Sequence, residues 1–402
     1  MRLLILAGFW FFSVLYPVFA QLPAPDKAAG QDTAGGAPAA RSEHFELISD
    51  RDDGGLLLKE MEERFGVYNR LFRFDPAQAV FPIRVRAFGN QDDYDSYVST
   101  RLGTTSPGAV YLHYNQRERR ELVINRGSPG ETKNLPYQAL IQFLRAFVSS
   151  PPSWMREGFA VYFSTLGFTG EGKISYEENL SWLDTVKGMG EKAPSPEAVL
   201  MADNAAYSAA AGLGSPGFSS LAWSLVSFFL NSGNEEYFRT LTDSFLLLSD
   251  SKTAEENSEA VMRRIRLWNS LDSFIRDYRF YLDSRKTFTE LIAEGQKAWT
   301  AGDAASAEIF FMNALNQRPG HYAPYYYMGL LAYEENNYTL AEQYYRSSLQ
   351  YGADFALVSY ALGVNAAAAG KNGEAVNHLR DAAAAAPDRY REKAENLMAR
   401  LR

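Results

Sequence analysis

The chain contains no cysteine among its 402 residues, and only four histidines. The absence of cysteine excludes disulfides, thiolate nucleophiles, cysteine-ligated metals and a lipidated N-terminal cysteine. The histidines, His44, His113, His321 and His378, are far apart in the sequence, so no local pair predicts a metal site. Long lysine or arginine runs are also missing and the net charge is −8, which argues against nucleic acid or anionic membranes as partners.

The N-terminal 42 residues predict an export signal followed by a linker. Arg2 precedes an apolar run from Leu3 to Tyr16, and Val18-Phe19-Ala20 is a small-residue cleavage site. We therefore expect a cleavable signal peptide over residues 1–20 and an extracytoplasmic location, in a periplasm or outside the cell. The apolar run is short for a membrane span, which needs roughly 20 residues, and an uncleaved anchor is the alternative. Residues 21–42 are rich in Ala, Gly and Pro and predict a flexible linker.

Residues 43–285 predict an α+β domain with a helical C-terminal part. Alternating apolar residues predict strands near residues 44–48, 81–88, 109–113 and 121–125. Helical periodicity lies between them and continues through two helices up to residue 163. This order of elements indicates a small mixed sheet backed by helices.

The C-terminal third repeats with a period of 34 residues, and an aromatic or leucine residue follows each aligned glycine at a fixed distance. The aligned positions are Gly295, Gly329 and Gly363, then Ala307, Ala341 and Ala375, then Phe311, Tyr345 and Leu379. This pattern resembles the tetratricopeptide repeat, in which a small residue lies where two helices cross and an aromatic fills the gap. The resemblance predicts an all-α solenoid of three repeats over residues 286–387, with a cap helix over 388–402.

Two segments before residue 164 resemble a zinc-peptidase active site. The first is L-P-Y-Q-A-L-I at residues 135–141, and the second is W-M-R-E-G-F-A-V-Y-F at residues 154–163. Together with the order of strands and helices, they make residues 43 to about 240 similar to the peptidase MA-like (gluzincin) family. Its members carry H-E-x-x-H on one helix and a glutamate ligand in a W-x-x-E-G context on the next. By position, Tyr137 and Ile141 stand at the two histidine ligands, Gln138 at the general base and Glu157 at the third ligand.

Three of these four vestigial positions depart from the family pattern. Isoleucine has no lone pair, so Ile141 cannot bind a metal, and the amide of Gln138 cannot accept a proton as a general base. Loss of a general base alone typically costs about 10²–10⁴ in rate. Tyr137 is a phenol, which is protonated at neutral pH. A single carboxylate does not make a transition-metal site. The sequence therefore predicts no catalytic residues, no metal and no cofactor.

Glu157 is the one matching residue, and it shares a helical face with Trp154 and Val161. We expect a buried carboxylate there, which needs a partner. The hypothesis is that the Tyr137 hydroxyl or Arg145 occupies the space that zinc fills in the family. The other interpretation of the first segment is an ordinary core helix. Its apolar stripe comprises Leu140, Phe143, Leu144 and Phe147.

The first helix of each tetratricopeptide unit lines the groove of the array, so the resemblance also predicts a binding surface. The groove positions in this chain are Ile292, Gln296, Trp299, Tyr326, Leu330, Tyr333, Tyr360 and Val364. Such an aromatic, uncharged surface suits an apolar peptide segment or a partner helix. Packing against the preceding domain or a second copy of the chain is the alternative.

These observations favour a catalytically inactive, peptidase-like extracytoplasmic protein that acts as a protein-binding adaptor or scaffold. A zinc metallopeptidase with a non-standard metal site, or one completed by a partner, is the first alternative. A self-associating structural component of the cell envelope is the second.

Overall fold

The computed structural model describes residues 40–51, 53–79, 82–168, 174–202 and 216–401. Contacts divide the chain into two compact units, an N-terminal unit that ends at Ser284 and a C-terminal unit that begins at Arg285. The N-terminal unit combines a small sheet with helices, and the C-terminal unit is helical. The predicted signal peptide and nearly all of the predicted linker lie outside the described residues.

A five-stranded mixed sheet forms the centre of the N-terminal unit, in the order β1-β2-β3-β5-β4. Strand β3 pairs in parallel with both β2 and β5, whereas β1 and β4 are antiparallel edge strands. The strands are β1 (Ala40–Arg41), β2 (Phe45–Ser49), β3 (Ile83–Phe88), β4 (Ala109–Leu112) and β5 (Glu121–Asn125).

Helices connect and cover these strands, and further helices complete the unit. They are α1 (Gly54–Phe72), α2 (Gln91–Leu102), α3 (Pro129–Phe147), α4 (Ser153–Tyr162), α5 (Ser181–Gly188), α6 (Pro196–Leu200), α7 (Pro216–Asn231), α8 (Glu235–Phe245), α9 (Ala254–Trp268) and α10 (Leu271–Ser284). Helix α3 begins at a serine cap, because the Ser128 hydroxyl accepts from the Glu131 N–H at 3.2 Å. Within the described ranges, no helix combines the length and apolar character needed to cross a membrane.

The sheet separates two apolar clusters because successive strand residues point to opposite faces. Leu47, Val85 and Leu122 lie on the face that packs in the main core with α1, α3 and α4. Val110 and Val123 lie on the other face, in a smaller cluster with residues of α2. The small mixed sheet with helices that the sequence predicts is confirmed, and the position of α3 against this sheet sets the position of its polar residues.

Two short strand pairs differ from the sequence predictions. The composition places Ala40 and Arg41 in the linker, yet they form β1 and pair with β2. A main-chain ladder needs no apolar side chain, so Ala-rich composition does not reveal it. The second pair is a two-stranded ribbon of β6 (Gly167–Phe168) and β7 (Ile174–Ser175), which the sequence analysis did not predict.

The C-terminal unit consists of successive helix pairs that follow the 34-residue period. An ideal Cβ on Gly295, Gly329 or Gly363 would lie within 2.4–2.7 Å of a side-chain atom of the residue sixteen positions later. Only glycine therefore permits these close helix crossings. The helices are α11 (Phe288–Ala301), α12 (Ala304–Gln317), α13 (Tyr322–Glu334), α14 (Tyr338–Gln350), α15 (Phe355–Ala368), α16 (Asn372–Ala385) and the final α17 (Pro387–Arg400).

Candidate functional site

Glu157 lies at the centre of a hydrogen-bonded group made by three helices of the N-terminal unit. Its side chain is on α4, and the residue is only 2% exposed. The Tyr137 hydroxyl on α3 donates to Oε2 at 2.6 Å, and the Ser219 hydroxyl on α7 donates to Oε1 at 2.6 Å. Each carboxylate oxygen thus has a hydroxyl donor, which compensates the loss of water on burial.

Gly158, the residue after Glu157, explains how α7 reaches the carboxylate. An ideal Cβ at Gly158 would lie 2.4 Å from the carbonyl oxygen of Ala222 on α7. No side chain fits between the two helices at this point, so their backbones are in direct contact. Ser219 lies one turn before Ala222 and therefore faces the same side of α7. The glycine of the second motif brings a third helix to the glutamate.

Gln138, which the resemblance aligns with a general base, makes a structural hydrogen bond. Its Oε1 accepts from the backbone N–H of Tyr111 at 3.0 Å, and its side chain is buried. Tyr111 belongs to β4, an edge strand of the sheet. The amide therefore joins α3 to a backbone N–H group of that edge strand. This bond gives Gln138 a structural role in the fold that does not depend on catalysis.

Ile141 is buried in the main core, as expected for a core helix. Leu140, Phe143, Leu144 and Phe147 of the predicted stripe lie in the same core. The first motif thus combines apolar packing in the main core with two specific hydrogen bonds, one from Tyr137 and one to Gln138.

The histidines are not brought together with these residues. Within the described ranges, no three His, Asp or Glu side chains form a group that could hold a metal ion. The His44 ring contacts Glu62, with 2.7 Å between Nδ1 and Oε2, and His321 accepts from a backbone N–H at the start of α13. His113 is half-buried near arginines, and burial together with those positive charges lowers its pKa to about 2.

The eight predicted groove positions divide into one core residue and seven half-buried ones. Ile292 is 2% exposed and packs in the core of the C-terminal unit. Of the remaining seven positions, Tyr326 contacts the Tyr345 ring and Tyr360 stacks on Tyr390. The half-buried set is Gln296, Trp299, Tyr326, Leu330, Tyr333, Tyr360 and Val364.

Comparisons with known proteins give no family: no protein-family model matches the chain, and no curated protein gives a significant match. The resemblance therefore depends on the residues described above.

Ser219 is one residue that the sequence analysis missed. The apolar run of α7 contains Ser219, Ser220, Ser224 and Ser227, and all four are fully buried. Regularly placed serines in an otherwise apolar helix indicate buried hydrogen bonds, and this signal was available in the sequence.

Proposed function

We propose that this protein is a catalytically inactive relative of zinc peptidases that works outside the cytoplasm as a protein-binding adaptor or scaffold. In this proposal the N-terminal unit keeps the peptidase-like fold without its metal, and the C-terminal unit is a tetratricopeptide array that holds a protein or peptide. Neither role requires a cofactor.

The observation that carries the proposal is the pair of hydroxyls on Glu157. A glutamate that binds zinc shares the metal ion with further protein ligands that have lone pairs to donate. Here each oxygen accepts a short hydrogen bond from Tyr137 or Ser219. Gln138 is likewise engaged, by a backbone N–H of β4. The polar residues of the two motifs thus hold helices and sheet together, which favours a structural role over a catalytic one.

The binding role is supported by the C-terminal unit. Its glycine–side-chain contacts at 34-residue spacing suit a tetratricopeptide array. None of the eight groove positions is charged, and Trp299, Tyr333 and Tyr360 are half-buried. Half-buried aromatics of this kind are common where a protein surface binds a peptide or helix.

Zinc binding separates this proposal from its enzymatic alternative. The measurement is the metal content and zinc affinity of purified residues 21–402, with Glu157→Gln as the matched control. We expect no stoichiometric zinc in either protein. One equivalent of tightly bound zinc that is lost in the Glu157 variant would contradict the proposal and favour a metallopeptidase.

Site-specific photocrosslinking tests the groove. The photoreactive residue p-benzoylphenylalanine replaces Tyr333 in the producing cell, and in the control it replaces Ile309, which is exposed on α12. We expect a discrete adduct from the Tyr333 position alone. An adduct of twice the chain mass would indicate the self-associating structural component instead. Absence of any adduct specific to the groove position would contradict the adaptor proposal.

A further inference from the structure

The N-terminal unit contains an arginine-lined cavity at the end of the sheet, formed by β3, the turn between β4 and β5, and α3. Its volume is about 50 Å³. Four arginines and one acidic residue line it together with uncharged groups. The charged lining residues are Arg84, Arg117, Glu118, Arg120 and Arg145. This excess of positive charge is unusual in a chain whose net charge is −8.

Arg145 on α3 is the most buried of these arginines and is only 8% exposed. Its guanidinium takes part in no hydrogen bond or ion pair with the residues the structure describes, and its Nε is buried without a partner. Burial, together with the charges of Arg156 and Arg120, lowers its pKa to about 9, so it is still a cation at neutral pH. A buried cation normally has a paired anion.

The other arginines of the cavity are cations and cannot neutralise Arg145. Two of them already have carboxylate partners of their own. Arg84 pairs with Glu46 at 3.0 Å, and Arg117 pairs with Asp250. Arg120 has no carboxylate partner in the described part of the chain. It donates instead to the backbone oxygens of Tyr114 and Arg145, at 2.8 and 3.3 Å, and to the Ser149 hydroxyl at 3.1 Å.

Arg120 and Arg145 therefore bring two positive charges to one cavity without a carboxylate between them. Glu118 lines the same cavity but is exposed, so solvent screens its charge. We infer that this cavity is a binding site for a small oxyanion of the phosphate class, held by Arg145 and Arg120.

Size and geometry both fit this class. A cavity volume of about 10–15 Å³ is needed to hold one water molecule. The cavity of about 50 Å³ therefore holds about four water molecules, which is comparable in size to the five heavy atoms of phosphate. The guanidinium fork matches the oxygens of phosphate by parallel hydrogen bonds. The site is separate from the Glu157 group and does not depend on the function proposed above.

Thermal unfolding of residues 21–402 in increasing inorganic phosphate tests the inference, with sodium chloride of equal ionic strength as reference. A ligand at 100 times its Kd is expected to raise the Tm of a unit of this size by about 5–10 °C. Phosphate also stabilises proteins in general through exclusion from their surface. The decisive comparison is therefore between variants.

Arg145→Met removes the charge and keeps an unbranched apolar stem, and Arg263→Met is the matched control. Arg263 is exposed on α9 and lies 3.5 Å from Glu259. We expect the phosphate-dependent rise in Tm to disappear in Arg145→Met and to persist in Arg263→Met. If Arg145→Met does not fold, Arg145→Lys serves the same test because it keeps a charge without the planar fork; its phosphate response should be much weaker.

Glycerol 3-phosphate identifies the source of the anion. A shift at lower concentration than with inorganic phosphate would indicate a phosphorylated small molecule, and the reverse would indicate free phosphate. Either result supports the site. An equal phosphate response in wild type and Arg145→Met, or no response beyond that to chloride in wild type, would overturn the inference.

Discussion

Replacing Tyr137 by phenylalanine removes one of the two hydroxyl donors of Glu157. The ring remains, so packing against the main core is retained, while the 2.6 Å hydrogen bond to Glu157 is lost. A hydrogen bond to a charged group contributes about 1.5–3 kcal/mol, and Glu157 is too buried for water to replace the donor freely. We expect the free energy of unfolding of the N-terminal unit to fall by about 2 kcal/mol.

Urea unfolding followed by tryptophan fluorescence measures this loss. Trp154 and Trp223 are fully buried in the N-terminal unit, so their emission reports its unfolding. With a urea dependence of about 3 kcal/mol/M, the midpoint should move down by about 0.7 M. Tyr162→Phe is the matched control, because its hydroxyl contacts a neutral amide of Asn231 at 3.1 Å. The free energy of unfolding should fall less in this control variant, by about 1 kcal/mol.

A double-mutant cycle of Tyr137→Phe with Ser219→Ala measures how strongly the two hydroxyl donors of Glu157 are coupled. The two hydroxyls serve different oxygens of one carboxylate, so the second loss should act on a group already deprived of a donor. We expect a coupling energy of about 0.5–3 kcal/mol between the two variants. An unchanged midpoint in Tyr137→Phe would refute the view that this hydroxyl stabilises the buried carboxylate.

Three further outcomes are expected. Gln138→Leu leaves a β4 backbone N–H without its acceptor and should lower the free energy of unfolding by about 1–3 kcal/mol in urea. Gly329→Ala overpacks a helix crossing and should cost about 1–3 kcal/mol by circular dichroism, whereas Gly373→Ala, which meets open space on a helix, should be neutral or stabilising. Because the folded chain keeps His113 neutral down to a pKa of about 2, stability should fall as the pH drops below about 6.5. Allowing for partial exposure, we expect a loss of about 1 kcal/mol by pH 5, and a flatter pH profile in His113→Gln.

Elements with strong periodicity were predictable from the sequence. The strands β3 and β5 and the helices α1 and α3 follow from the spacing of apolar residues, because that spacing decides which face can be buried. The contact between Tyr137 and Glu157 could be anticipated as well. A carboxylate on an apolar helical face needs a partner, and the family resemblance indicated which helix lies opposite.

The remaining site features depend on distances between residues far apart in the sequence. Arg145 was one of two candidate partners for Glu157, yet it lies at the arginine-lined cavity without a hydrogen bond to that carboxylate. Its position follows from where α3 meets the β4–β5 turn, which no local pattern encodes. Ser219 is 62 residues from Glu157, and only the close contact of α4 and α7 at Gly158 brings them together.

Strand β1 has a consequence for how the chain behaves at high concentration. Its two residues cover part of the outer edge of β2, where Ala40 lies opposite Leu47 and Arg41 opposite Glu46. An uncovered strand edge is a template for pairing with other molecules. Proteolytic removal of the residues up to residue 42 would therefore expose the edge of β2 to pairing with other molecules. Protein that begins at residue 43 should aggregate more readily than protein that begins before Ala40, although both retain every buried side chain of the main core.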